Sequence, residues 1–299
     1  MRNPLILSIC IPIYNRKEKL SKLLKTIDLF SNIEIVITDD GSTDDVKSIL
    51  KKKNYPFKIK YLRTNINRGR SSALADSIKF SSGKYIIIMD SDDYFLKGSI
   101  NLIISNIKKY QNIKSFVYGI QTFKDKIIQN KLPPRGLKTN LLKLRADYRV
   151  KHDLKEIVRS DILKKSIYKK AYIYRRTPTS LMWFNVSSYC KSLTFDIPVV
   201  FKKYEKSGMT SLISNLKYEN AEPMRDIYYK YSKSKLYNSV FFRVRSKIQF
   251  YRYSYLSKIK FKFYINELIY ILIGYMIHIF DIINYNFFKK KILWFLKII

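Results

Sequence analysis

Cysteine and acid are scarce in this chain. Two cysteines, Cys10 and Cys190, in 299 residues exclude a disulfide framework and offer no cysteine spacing for a metal. A reducing compartment fits, and Cys10, inside an apolar run, reads as a core residue. Asp and Glu together number 23 against 58 Lys and Arg, a formal charge of +35. That imbalance points to an anionic partner, whether nucleic acid, anionic membrane or phosphorylated substrate. No RNA- or DNA-binding motif accompanies it, so no nucleic acid is expected. Long apolar runs are missing too: Leu268 to Phe280, thirteen residues, is free of charge but too short to span a bilayer. Leu5 to Ile13 is broken by Pro12 and followed by no small-residue cleavage site, so no signal peptide is expected. What the chain does have is 46% hydrophobic residues, enough for a real core in one large domain or one plus a smaller one.

The first ninety residues alternate strand and helix. Strands are expected at Ile6–Tyr14, Ile33–Thr38, Phe57–Arg63 and Lys84–Met89, and helices at Lys17–Phe30, Val46–Lys53 and Ser71–Phe80. Such alternation argues for a doubly wound α/β sheet. Ligands of such sheets bind beyond the carboxyl ends of the strands, which gathers Tyr14, Asp39, Asp40, Arg70 and an Asp90–Asp93 cluster around one crevice. Further on, a helix is expected at Lys97–Lys109, strands at Ser115–Phe123 and Lys126–Asn130, and a late strand at Ile197–Tyr204.

The fourth strand ends in Asp90-Ser91-Asp92-Asp93. Three carboxylates in four residues raise one another's pKa unless something neutralises them, and a hard divalent cation would do so. Tyr14 offers a ring to stack on a base. Asp40 can accept from the N–H of a uracil-like base, with Asp39 bracing the turn. Arg70, after Gly69, can neutralise a diphosphate.

Pro12-Ile13-Tyr14-Asn15, Asp39-Asp40-Gly41-Ser42-Thr43-Asp44, Asn67-Arg68-Gly69-Arg70 and Gly83 through Asp93 occur in that order. Together they resemble the nucleotide-binding half of a family 2 glycosyltransferase with the GT-A fold, over roughly residues 5–125 and more faintly to 213. The resemblance implies a Rossmann-like, doubly wound mixed sheet and an inverting transfer from a nucleotide sugar, UDP first among nucleotides. It implies Mn2+ or Mg2+, with Asp90-Ser91-Asp92 as the Asp-X-Asp motif and Asp92 and Asp93 as metal ligands. Pro12, Tyr14, Asn15, Asp39, Asp40, Arg70, Asp90, Ser91 and Asp92 become the expected nucleotide-sugar contacts. Where many relatives carry Arg-Asn along the following helix, this chain has Leu74-Ala75.

An inverting transfer needs a carboxylate to take the acceptor's proton. Common relatives supply it from an acidic pair before the final strand, but Thr179–Trp183 holds no acid here. Asp153, then Glu156, are the nearest candidates, read as one helical turn apart; His152 reads as their neighbour. Residues 1–213 are expected to form the catalytic domain, 1–125 its nucleotide half and 126–213 its acceptor half. Within it, Lys202, Lys203 and Lys206 are candidates to contact the diphosphate, the last from a loop at 206–211. Residues 214–299 form a mostly helical, basic and apolar extension that suits an anionic membrane surface through 230–299 or a homo-oligomeric contact. The expectation is a peripheral enzyme on the cytoplasmic face of the cell membrane, moving sugar to a glycan or lipid-linked acceptor. Two other readings stay open: a polyanion-binding protein, and a glycosyltransferase-like scaffold without catalysis.

Overall fold

The computed structural model describes residues 4–28, 32–51, 55–124, 127–203 and 220–295. The chain divides into two compact units, one of residues 1–176 with 182–205 and one of 177–181 with 206–299. The expected boundary at 213–214 and the loop at 206–211 lie outside the described residues.

The first unit is built on one mixed sheet. Its strands are β1 (Leu7–Ile13), β2 (Ile33–Asp39), β3 (Lys58–Arg63), β4 (Tyr85–Ile88), β5 (Asp93–Phe95), β6 (Ser115–Lys124), β7 (Ile127–Lys131), β8 (Lys138–Thr139), β9 (Lys155–Arg159) and β10 (Ser192–Lys202). Their order is β3-β2-β1-β4-β9-β6-β10-β5, with β7 beside β6 and β8 beside β10. β1 through β4 pair in parallel, and every residue of β1 and β2 is buried, as continuous apolar runs in parallel sheets require. β9 enters antiparallel between β4 and β6.

Helices cover both faces of this sheet. On one lie α1 (Lys17–Lys25), α2 (Lys47–Lys51) and α4 (Ser99–Lys109); Leu20, Leu23 and Leu24, and Ile100, Ile103, Ile104 and Ile107, pack at helical spacing into the same core. On the other lie α3 (Arg70–Phe80), α5 (Leu141–Ala146), α6 (Ser160–Lys165) and α7 (Ser180–Tyr189), around Leu74, Leu141, Ile162 and Met182. Each fully buried Leu or Ile stabilises by roughly 1.5–3 kcal/mol. The first helix stops earlier than expected, because Thr26 turns its hydroxyl onto the Leu23 carbonyl at 2.7 Å and then accepts from the Phe95 amide at 3.1 Å.

The helical spacing read into Asp153 and Glu156 is corrected. Lys155–Arg159 is strand β9, so the two carboxylates share no helix face. A run of five residues reads equally well either way, and pairing with β4 and β6, distant in sequence, decides it.

At the sheet edge opposite the strand tips, Glu34 is fully buried. Its carboxylate accepts from the Ser8 hydroxyl at 2.6 Å, from the Ser82 amide and from the Gly83 amide at 3.1 Å, and it pairs with Lys60 at 3.0 Å. Burial alone would push its pKa up; the Ser8 hydroxyl, the Ser82 amide and Lys60 together hold it below the ordinary range. A depressed carboxylate contributes stability above its unfolded pKa and loses it as pH falls. Glu34→Gln is therefore expected to cost about 3 kcal/mol at neutral pH, the difference shrinking below about pH 4. Urea unfolding of both proteins at the two pH values measures this; an unchanged difference would exclude the charged form as its source.

The second unit contains α8 (Ala221–Lys233), α9 (Val240–Leu256), a 3-10 turn at Ile265–Glu267 and α10 (Leu268–Phe295). The Tyr228 and Tyr253 rings stack at 5.6 Å between α8 and α9. Gly274 lets α10 approach α9 closely: a Cβ there would lie 2.9 Å from the Ile248 carbonyl oxygen and the Tyr251 Cβ. Arg252 of α9 grips Asp281 of α10 through two bonds, at 2.5 and 2.7 Å.

Candidate active site

The site forms where β1, β2 and β4 end. Pro12 tolerates its place in β1 because of strand alternation. The Cys10 carbonyl accepts from Met89 on the β4 side at 2.9 Å, so Pro12, two residues on, faces that side after β1–β4 pairing has ended at Cys10. Tyr14 follows at the tip, 44% exposed. Asn15 takes a left-handed conformation, φ 49°, which asparagine tolerates. Its amide donates to the Ser42 hydroxyl at 2.9 Å and its side-chain oxygen accepts from the Thr43 amide at 2.7 Å. The β1 tip is thereby tied to the Asp39–Asp44 turn.

Both aspartates of that turn are buried. Asp39 accepts from the Ser42 amide at 2.8 Å and the Tyr61 hydroxyl at 2.5 Å. Asp40 accepts from the Arg68 amide at 2.9 Å and the Gly69 amide at 2.7 Å. Asp40 thus clamps the turn that opens α3. Gly69 has φ 99°, and a Cβ on it would lie 2.2 Å from the Arg175 carbonyl oxygen, so only glycine fits there. The Arg175 backbone lies across the start of α3, accepting from the Ser71 amide at 3.4 Å.

Arg70, first residue of α3, donates from Nε and a terminal nitrogen to one oxygen of Asp90, at 3.2 and 2.5 Å. Asp90 also lies 3.8 Å from Lys202, and Lys202 pairs with Asp153 at 3.1 Å. Asp92 pairs with Arg16 at the start of α1. Asp93, 1% exposed, turns inward to Lys155 at 3.3 Å, while Lys155 also donates to the Ile88 carbonyl. Ser91 is buried between them. Four carboxylates thus stand against four cations of the chain itself: Arg16, Arg70, Lys155 and Lys202. Burial opposes the charge of Asp90, yet Arg70, Lys202 and Lys155 hold its pKa well below the carboxylate range. For Asp93 burial wins over Lys155, and its pKa is raised.

Asp153 is half exposed and joined to Asp90 through Lys202. Glu156 lies on β9 with 10% of its side-chain surface exposed, 3.8 Å from Arg145; desolvation pushes its pKa up, ahead of the lowering by Arg145. His152 turns its ring to the Leu132 carbonyl at 3.1 Å. Sequence reasoning passed over Arg16, Lys155 and Arg176. Arg176 follows Arg175 to the mouth of the crevice, where burial and then the positive charge of Arg70 push its pKa down.

Asp92 and Asp90 keep 26% and 32% of their side-chain surface exposed. Among the described residues no three Asp, Glu, His or Cys side chains converge into a cage of their own. Hard oxygens from one or two carboxylates, with the rest left to phosphate and water, suit Mg2+ or Mn2+, so the donor set fits such a cation through Asp92 with Asp90.

A sequence profile described as "Glycosyl transferase family 2" matches residues 8–171, just over half of the chain. Abequosyltransferase RfbV of Salmonella typhimurium is 37% identical over 105 residues, 33% of this chain and 32% of that protein. The UDP-Glc:alpha-D-GlcNAc-diphosphoundecaprenol beta-1,3-glucosyltransferase WfaP of Escherichia coli is 34% identical over 98 residues, 32% of this chain and 39% of that one. The chain thus matches about a third of the length of these curated relatives. In fold it is similar to S. aureus TarS 1-349 in complex with UDP-GlcNAc, with a TM-score of 0.64 at 16% identity, covering 90% of this chain and 79% of that one.

Proposed function

The chain belongs to glycosyl transferase family 2, a GT-A glycosyltransferase, and from that premise we propose a transfer of sugar from a nucleoside diphosphate sugar to an acceptor hydroxyl. The donor is a UDP-sugar and the acceptor a glycan or lipid-linked oligosaccharide of the cell surface; the name of the Escherichia coli relative, with UDP-Glc as donor and a diphosphoundecaprenol-linked sugar as acceptor, supports this. The reaction runs at the inner face of the cell membrane, with residues 1–213 carrying the chemistry and 230–299 meeting anionic lipid. The observation that supports this best is the Arg70–Asp90–Lys202–Asp153 chain of ion pairs, which links the Arg70 end of the crevice to a half-exposed carboxylate.

In this mechanism the Tyr14 ring stacks on the base. Asp40 fixes the Arg68–Gly69 turn and presents the crevice wall to the base edge. Arg70 and Arg176 face the diphosphate and carry its negative charge as it leaves. Asp92, with Asp90, would hold Mn2+ or Mg2+, which supplies further charge neutralisation to the departing diphosphate when bound. Asp153 accepts the proton of the acceptor hydroxyl. The acceptor oxygen bonds to the anomeric carbon as the bond to the β-phosphate oxygen breaks. The nucleoside diphosphate leaves with the electron pair, and the anomeric configuration inverts. Lys202 orients Asp153 for this step through their 3.1 Å pair; burial opposes the lysine's charge, but Asp93, Asp90 and Asp153 hold its pKa above the ordinary lysine range.

A screen of nucleotide sugars for hydrolysis with Mn2+ or Mg2+, with and without chelator, tests the reading. UDP-sugars are expected to turn over at least about tenfold faster than GDP-sugars, a discrimination of about 1.4 kcal/mol, with the rate lost on chelation. No turnover and no nucleotide binding would sink it.

A further inference from the structure

The helix α10 is amphipathic the wrong way round for a water-facing surface. Its one charged residue between Leu268 and Ile283 is Asp281, and this turns inward to Arg252. His278 also turns inward, stacked on Tyr255 with ring centroids 5.7 Å apart. The outward face carries Ile269, Leu272, Met276, Phe280 and Ile283, each more than half exposed. A helix of a soluble domain shows its apolar stripe to the core and its polar residues to water. Contiguous exposed apolar surface of this kind marks an interaction site.

The residues before it have a second character. Between Asp226 and Glu267 the chain holds ten basic and no acidic residues. Lys258, Lys260 and Lys262 are exposed, and Phe263 and Ile265 beside them are 62% and 83% exposed. A second copy of the chain would bring the same positive charge against itself, whereas an anionic bilayer pairs with it. The close packing at Gly274 and the Arg252–Asp281 pair keep one side of α10 against α9. One face is therefore left for lipid.

We propose that α10 lies in the plane of an anionic bilayer. Its face from Ile269 to Ile283 sits at the acyl boundary, and Lys258, Lys260 and Lys262 sit on lipid phosphates. This deepens the membrane placement of the proposed function by naming its docking surface.

Flotation of the full chain with vesicles tests it. The chain is expected to bind vesicles of phosphatidylglycerol and phosphatidylethanolamine and to leave those of phosphatidylcholine alone. Leu272→Glu with Met276→Glu is expected to lower binding at least about tenfold, the equivalent of burying about two fewer methylenes. Lys258→Gln with Lys260→Gln and Lys262→Gln is expected to lower it on the order of a hundredfold. Amide exchange over 258–267 in the unmodified chain, which needs no variant to fold, is expected to slow when the anionic vesicles are added. Failure of the unmodified chain to bind them overturns the proposal. So does a dimer that Leu272→Glu with Met276→Glu turns into a monomer while vesicle binding is unchanged, which would make a second copy the occupant. Donor hydrolysis without vesicles reports on the reaction separately, so either reading can fail alone.

Discussion

Replacing Asp92 by alanine is expected to lower acceptor-dependent transfer by about a thousandfold, roughly 4 kcal/mol of transition-state stabilisation. Asp92 keeps 26% of its side-chain surface exposed, and in this structure its carboxylate pairs with Arg16. The substitution removes a hard oxygen ligand and leaves Arg16 without its partner in the crevice. UDP binding measured without metal should change little, because Tyr14 and the Asp40 clamp are untouched. A kcat loss with near-normal UDP affinity is thus the expected signature. Arg16→Ala supplies the converse arm. It removes the cation that competes for Asp92, so the Mn2+ concentration giving half-maximal binding should fall about fivefold, the upper range for a partly exposed ion pair. Mn2+ binding can be followed by its electron paramagnetic resonance signal with no sugar present. Transfer by Asp92→Ala within about threefold of normal, a difference under 1 kcal/mol, would favour the scaffold reading.

The strand tips were legible because buried parallel strands have no polar face: apart from the Ser8–Glu34 pair at their start, Leu7–Ile13 and Ile33–Asp39 are apolar until the crevice begins. The acidic cluster was legible for the same reason, but its electrostatic partners were not. Among 58 basic residues, nothing local singles out Arg16, Lys155 or Arg176 as facing it, and Lys202 is read there only as a diphosphate contact. Lys155 arrives because β9 inserts between β4 and β6, and Lys202 because β10 pairs with β5 through the Lys202–Asp93 register. Both are long-range pairings that a short run of residues does not announce. The neutralisation first ascribed to a divalent cation is, in this fold, shared with the chain's own side chains. The inverted face of α10 escaped for a related reason: its composition showed an apolar helix, but only packing shows that Asp281 points inward.

Asp153→Asn is expected to lower kcat for acceptor-dependent transfer by about a thousandfold, with the KM for donor nearly unchanged. Asp153 is half exposed, so an acceptor hydroxyl can reach it, and Lys202 joins it to Asp90 at the diphosphate end. Asparagine keeps the shape and loses the capacity to take a proton. Lys202→Met provides a readout that a structural role for Asp153 would not move. Without the ammonium a neighbouring carboxylate is harder to ionise, so the acid limb of the pH–rate profile should shift to higher pH. Glu156→Gln separates the two candidates. Glu156 is largely covered and faces Arg145, and its loss should lower the melting temperature while leaving kcat within about threefold, under 1 kcal/mol in activation free energy. The reverse pattern, an inactive Glu156→Gln beside an active Asp153→Asn, would move the base to β9 and require the acceptor to enter beneath α5.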